Sequence, residues 1–191
     1  MSFLHLCLLT GACAWQERYP EGKSPKIGVN LSAKQFEHPD LARDVAKILP
    51  ATGLEPGSLE LEITESVAMG HAPSTMDTFK ELKALGGKLA IDDFGTGYSS
   101  LSYLKRFPVD NLKIDRSFIN ELGDDENGTV LMSGVLSLAR ALGLGVIAEG
   151  VETAQQLMHL RDLGCELAQG YFFWKPVPGE RASELLAARL N

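Results

Sequence analysis

The sequence predicts an α/β protein built on a parallel sheet or barrel. Short β-branched or apolar runs alternate with helical patterns along the chain. The runs start 22 to 34 residues apart, which is βαβ spacing. Nearly every run ends in an acid or an amide. In a parallel barrel the carboxyl ends of all strands share one rim, and that rim carries the chemistry.

The elements follow in order. The start, to about Arg18, is apolar but lacks the basic n-region of a signal peptide and the ~18 residues of a membrane span. It reads as a buried helix. The first strand, 26–32, carries Asn30. Leu41, Val45, Ile48 and Leu49 then form a helical stripe. The second strand, 59–66, carries Glu62 and Glu65. Phe79, Leu82 and Leu85 form the next stripe, stopped by Gly86 and Gly87. The third strand, 88–94, closes on Asp92 and Asp93, and Gly95 and Gly97 follow as a tight turn. The fourth, 111–118, carries Lys113 and Asp115. Residues 123–128 read as a solvated turn. Val130, Val135, Leu138 and Leu142 give a third stripe, stopped by Gly143. The fifth strand, 145–152, carries Glu149 and Glu152. Thr153 and Gln156 form a capping box for a helix ending near Gly164. The sixth strand, 167–173, carries Gln169, and a last helix spans about 181–190. No linker interrupts the series, so residues 1–191 read as a single domain.

The 191 residues are 45% hydrophobic and 23% charged, an ordinary globular composition. A net charge of −7 and a pI near 5.1 argue against a nucleic-acid partner, which wants a basic surface. They leave room for an anionic small substrate, because a bound metal inverts local charge. Cys7, Cys13 and Cys165 show no Cys-x-x-Cys spacing, which fits a reducing cytoplasm. The histidines show no ligand pairing either, so a metal here would be held by oxygens. Cys165 is expected in the barrel wall, and His71 and His159 at the surface. Glu60 and Lys88 are expected to be solvated, and Trp174, Phe172 and Phe173 to pack on the last helix. Tyr98 and Tyr103 are left between substrate and dimer contacts.

Asp92 and Asp93 are the centre of the reading. Adjacent carboxylates repel, so a cation, a proton or solvent must relieve them. Carboxylate and carboxamide oxygens without thiols suit Mg²⁺ or Mn²⁺. A carboxylate can bridge two such ions about 3.5–4 Å apart, which activates water and steadies a phosphoryl transition state. Asp92 is the bridging candidate, Lys113 would orient the water or offset phosphate charge, and a glutamate would complete the site as ligand or general base. From these residues alone, a solvated Asp-Asp turn stays open beside the metal reading.

Six motifs carry a resemblance: Val29-Asn-Leu-Ser-Ala-Lys-Gln-Phe36, Leu59-Glu-Leu-Glu-Ile-Thr-Glu-Ser66, the Ala90-to-Ser100 stretch around Asp92 and Asp93, the Phe107-to-Phe118 stretch around Lys113 and Asp115, Ala148-Glu-Gly-Val-Glu-Thr153 and Gln169-Gly-Tyr171. In this order and spacing the chain resembles the EAL family of cyclic di-GMP phosphodiesterases from about Ala12 to the C-terminus, with the first ten residues outside the pattern. The resemblance implies a TIM-like (β/α) barrel that hydrolyses cyclic di-GMP to linear pGpG with two Mg²⁺ or Mn²⁺ ions. It implies Asn30, Glu62 and Asp92 as ligands of one ion, and Asp92, Asp93 and Glu149 as ligands of the other. Lys113 is implied as the water-positioning lysine. Glu152, Asp115 and Gln169 are implied as the polar shell, and Glu65 as the residue that pins the loop after Asp93. It further implies cytoplasmic second-messenger signalling, a homodimer, and a fused sensor or diguanylate cyclase domain in a parent protein, with membrane anchoring of that parent left open.

The chain departs from the family in one respect: it contains no Glu-Ala-Leu tripeptide, whose glutamate is a ligand in the family. The first 18 residues resemble the helix that follows that strand. About six of the eight βα units of such a barrel are counted, a shortfall of ~60 residues. The expectation is an incomplete barrel with weak turnover. The alternative is a non-catalytic cyclic di-GMP receptor or regulatory module.

Overall fold

The computed structural model describes residue 15 and residues 25–70, 72–97, 101–123 and 126–189. Six strands form one parallel sheet in the order β1 to β6: β1 Ile27–Leu31, β2 Leu59–Thr64, β3 Lys88–Phe94, β4 Asn111–Ile114, β5 Gly145–Ala148 and β6 Leu167–Ala168. Sequential order with every pair parallel is the topology of a TIM-like barrel wall. Among the described residues β1 and β6 are its two edges.

Helices return the chain between strands. Ala33–Phe36 (α1) and Leu41–Thr52 (α2) follow β1, and Glu65–Gly70 (α3) and Ala72–Ala84 (α4) follow β2. Leu101–Leu104 (α5) follows β3, Arg116–Asn120 (α6) and Glu126–Leu142 (α7) follow β4, Ala154–Asp162 (α8) follows β5, and Gly179–Arg189 (α9) follows β6. The predicted capping box is present: the Thr153 hydroxyl accepts from the Gln156 N–H, and the Gln156 side chain accepts from the Thr153 N–H. The segment 123–128 is not all turn, because α7 begins at Glu126. Gly128 there lies so close to the Glu121 carbonyl that an added Cβ would sit 2.6 Å from it.

Strand alternation sorts the side chains. Val29, Leu31, Leu59, Leu61, Ile63, Leu89, Ile91, Leu112 and Ile114 are buried in one core with Phe36, Val45, Phe79, Leu82, Met132 and Leu136 of the helices. Each fully buried side chain of this kind contributes roughly 1.5–3 kcal/mol. The intervening residues of the same strands include the polar Glu60, Glu62, Asp92 and Lys113, which share the opposite face of the sheet. Cys165 is buried in this core as expected. Tyr103 stacks on Phe107 with ring centres 6.2 Å apart and so belongs to the core margin. Trp15 is helical, and its indole donates to the Ser183 hydroxyl of α9 at 2.7 Å. The rest of the expected N-terminal helix, with Cys7, Cys13, His71 and Tyr98, lies outside the described residues. No helix among the described residues is long and apolar enough to cross a membrane.

The last three strands end earlier than their sequence runs suggest. β4 stops at Ile114 because Asp115 turns out to cap α6, its carboxylate accepting from the Ser117 N–H at 3.0 Å. β5 stops at Ala148 and β6 at Ala168, so Glu149, Glu152 and Gln169 sit on rim loops.

Candidate active site

The rim begins at an irregularity in β3. Ala90 pairs with Asn111 and Ile91 with Leu112, but the next pairing is Phe94 with Ile114. Two residues, Asp92 and Asp93, thus oppose Lys113 alone, which is a β-bulge. Asp93 takes a positive φ of 53°, and its N–H donates to Asp92 Oδ1 at 3.0 Å. Aspartate tolerates this left-handed conformation better than most residues. Carboxylate oxygens of Asp92, Asp93 and Glu149 consequently lie within 4.8 Å of one another.

Lys113 lies at the centre of the acids. Its Nζ is 2.7 Å from Glu149 Oε1 and 3.2 Å from Asp92 Oδ1, and it also donates to Glu62 Oε2. The lysine side chain is 5% exposed. Burial alone would lower an ammonium's pKa, but the hydrogen bonds to Glu149 and Glu62 overcome it and hold Lys113 above its usual range. Burial, with crowding by neighbouring acids, pushes the carboxyls of Glu62, Glu149 and Asp93 up, even though Lys113 pulls the other way. Asp115 shows the opposite net effect: burial pushes it up, but the Ser117 hydrogen bonds prevail and hold it below the usual carboxylate range.

Neighbouring strands fix these side chains. Asn30 pairs in register with Glu62. Gly28, one turn of the pleat earlier, leaves the space Glu62 occupies, since a Cβ there would sit 2.0 Å from Glu62 Oε1. Gln169 donates to Glu149 Oε1 at 2.7 Å. Glu65, buried at the start of α3, accepts the Gly95 N–H at 2.8 Å and so ties down the turn after Asp93. Gly95 has φ +99°, and Phe118 covers it so closely that a Cβ would lie 2.4 Å from the ring. Asp93, Asp115, Glu149, Glu152 and Gln169 line one cleft of about 600 Å³.

The sequence-predicted residues therefore fall into three groups, with Asn30 beside the first of them through its pairing with Glu62. Glu62, Asp92, Asp93, Lys113, Glu149 and Gln169 meet directly or through one shared neighbour. Asp115 and Glu152 line the cleft without joining that network, and Glu65 acts on the loop.

Sequence reasoning missed a second polar pair below the first. Glu60 is not solvated: it is 7% exposed, and both its oxygens lie 2.9 Å from Asn111 Nδ2. The two-residue step from Glu62 to Glu60, matched by the step from Lys113 to Asn111, was the available signal. Trp174 does not pack on the last helix: it is 56% exposed and lines the cleft with Arg116 and Lys175. His159 packs against Gly123 and has a buried Nδ1 with no hydrogen-bond partner among the described residues.

The donors of the cluster are all carboxylate oxygens. That chemistry fits a hard divalent cation, and an ammonium beside it fits an anionic substrate.

Comparison with known proteins agrees with this fold. The family model described as EAL domain matches residues 1–176, so the likeness starts before Ala12 and takes in the first ten residues. The bifunctional diguanylate cyclase/cyclic di-GMP phosphodiesterase MucR of Pseudomonas aeruginosa is 48% identical over 155 residues, which cover 81% of this chain and 23% of MucR. The chain spans about a quarter of the length of the curated relatives it matches. The crystal structure of the EAL domain of Mycobacterium smegmatis DcpA superposes with a TM-score of 0.90 at 40% identity, covering 97% of this chain and 82% of that one. A manganese and cyclic di-GMP complex of Klebsiella pneumoniae BlrP1 superposes with a TM-score of 0.78 at 32% identity, covering 88% of this chain and 42% of that one.

Proposed function

The chain belongs to the EAL domain family, and on that premise we propose that its rim site hydrolyses one phosphodiester bond of cyclic di-GMP to give linear pGpG. A water oxygen bonds to phosphorus, the ester P–O bond on the far side breaks, and the leaving oxygen takes a proton. The observation that carries the reading is the buried Lys113 ammonium held among Glu62, Asp92 and Glu149 beside the bulge that adds Asp93.

Asp92, Asp93 and Glu149 would hold one divalent ion and Asn30, Glu62 and Asp92 a second, read as Mg²⁺ or Mn²⁺. When bound, such ions neutralise phosphate charge and acidify a water. Lys113, held above its usual range by its hydrogen bonds to Glu149 and Glu62, is a donor and a positive charge. It fits the role of orienting the attacking water towards phosphorus. Glu149 and Glu152 stand on the same loop at the cleft, where a carboxylate can take or return a proton. Asp115 and Gln169 supply hydrogen-bonding groups to the cleft wall. Glu65 keeps the turn after Asp93 in place, so that the bulge holds its shape.

Incubation of the purified 191-residue protein with cyclic di-GMP and Mn²⁺, with product separated by chromatography, tests the reading. The expected result is pGpG above the level of an Asp92→Asn control, at a slow rate because the sequence lacks Glu-Ala-Leu. A second reading is a cyclic di-GMP receptor. Calorimetry in Ca²⁺ separates the two: binding with no pGpG would replace the hydrolase by the receptor. The reading further includes a cytoplasmic homodimer and a parent protein carrying a diguanylate cyclase or sensor domain, which light scattering and the flanking gene sequence would check.

A further inference from the structure

We propose that Trp174 and Lys175 hold the half of the cyclic dinucleotide that does not react, the indole stacking on its base and the ammonium pairing with its phosphate. This deepens the phosphodiesterase reading and rests on it.

The cleft, at about 600 Å³, has the size of a small-molecule site. Its acids, Asp93, Asp115, Glu149 and Glu152, suit metal-bound phosphate and repel any phosphate without a cation. A cyclic dinucleotide brings two phosphates and two bases, and one acid cluster serves one scissile phosphate. The second half needs cations and aromatic faces. The remaining wall supplies them in Arg116, Lys175, Tyr171 and Trp174.

Trp174 and Tyr171 are 56% and 58% exposed. Large rings left in water beside a polar cleft are poor core residues and good stacking surfaces. The segment that carries them is held in place. The Phe172 N–H donates to the Val151 carbonyl at 2.9 Å, and the Trp174 N–H to the Gly170 carbonyl at 3.3 Å. Phe173 packs on the core, which leaves the adjacent Trp174 on the cleft. Lys175 Nζ lies 5.9 Å from the centre of the Tyr171 ring, a cation–π distance that parks the charge at the cleft wall.

The test uses the full chain with Trp15→Phe, which leaves Trp174 as the one tryptophan, since the sequence holds two. Cyclic di-GMP added in Ca²⁺ is expected to quench Trp174 fluorescence. Hydrolysis in Mn²⁺ is then compared for cyclic di-GMP and bis(p-nitrophenyl) phosphate, a diester with no second nucleotide. Trp174→Ala is expected to raise KM for cyclic di-GMP about tenfold, as one lost stacked base implies, with a much smaller change in kcat. Its loss of kcat/KM on cyclic di-GMP should exceed its loss on the small diester at least about fivefold on the same ground. Lys175→Ala should follow the same pattern, and Trp174→Phe should restore most of the affinity. Equal losses on the two substrates, or an unchanged KM, would overturn the proposal while leaving the phosphodiesterase reading intact. A parent protein that neither binds nor cleaves cyclic di-GMP would overturn both.

Discussion

Asp92 and Asp93 are consecutive residues of one strand, yet each brings a carboxylate oxygen within 4.8 Å of Glu149. Neighbours in a regular strand point to opposite faces. Here the bulge against Lys113 and the positive φ of Asp93 cancel that alternation. The result is a cluster whose repulsion is relieved, within the protein itself, by the Lys113 ammonium.

Removal of that ammonium should be costly. Lys113→Met leaves three acids facing one another, and breaking a buried pair costs about 3 kcal/mol. Urea denaturation is expected to show that loss without metal, and Mn²⁺ should return more stability to the variant than to the parent. Equal Mn²⁺ effects on the two proteins would disprove the compensation.

Gly28→Ala should act on Glu62 without replacing any acidic residue. The new Cβ would meet the Glu62 carboxylate at 2.0 Å, so the side chain must move off Lys113. Mn²⁺ affinity, read by electron paramagnetic resonance, is expected to fall by about tenfold, the size seen when a ligand's support is lost. The fold should persist because the displaced group is a flexible carboxylate. Unchanged Mn²⁺ binding would remove Glu62 from the ligand set.

The Glu60–Asn111 pair can be weighed by a double-mutant cycle. Glu60→Leu leaves the half-buried Asn111 amide without its acceptor and should cost about 1 kcal/mol. The double change Glu60→Leu with Asn111→Leu should cost less than the sum of the singles. Additive losses would mean that the 2.9 Å contacts contribute nothing.

Cys165 gives a pH signature. Burial pushes its thiol up, so the fold favours the protonated form. The stability it contributes is complete below the unfolded thiol value of about 8.5 and is lost as pH rises from there towards the higher folded value. In a Cys7→Ser, Cys13→Ser background, melting temperature should decline between about pH 8 and 10, and the decline should be smaller with Cys165→Ala. Matching pH profiles would show that the thiol is not burdened by burial.

Much of the site was legible in the chain because strands place function at their ends. The alternation Leu59-Glu60-Leu61-Glu62 announces one apolar and one polar face, and acids at successive strand ends must gather once the strands are parallel. The same alternation misled on Glu60, because exposure depends on what crosses the barrel rather than on the local pattern. Trp174 was misplaced for a related reason: an aromatic next to apolar residues reads as core until the turn that separates it from Phe173 is seen.

The sequence by itself determined the order of strands and helices, the stripes that face the core, the oxygen-only donor set and the family. Those depend on short-range periodicity and residue type. The tertiary structure alone decided how Asp92 and Asp93 turn their carboxylates to one point, that Glu60 is buried and bonded by Asn111, and that Lys113 contacts Glu62, Asp92 and Glu149 at once. The first needs the bulge within β3, and the other two join residues of different strands and of the rim. Their distances follow from strand register, and register depends on the pairing of whole strands and on one bulge that no local pattern encodes.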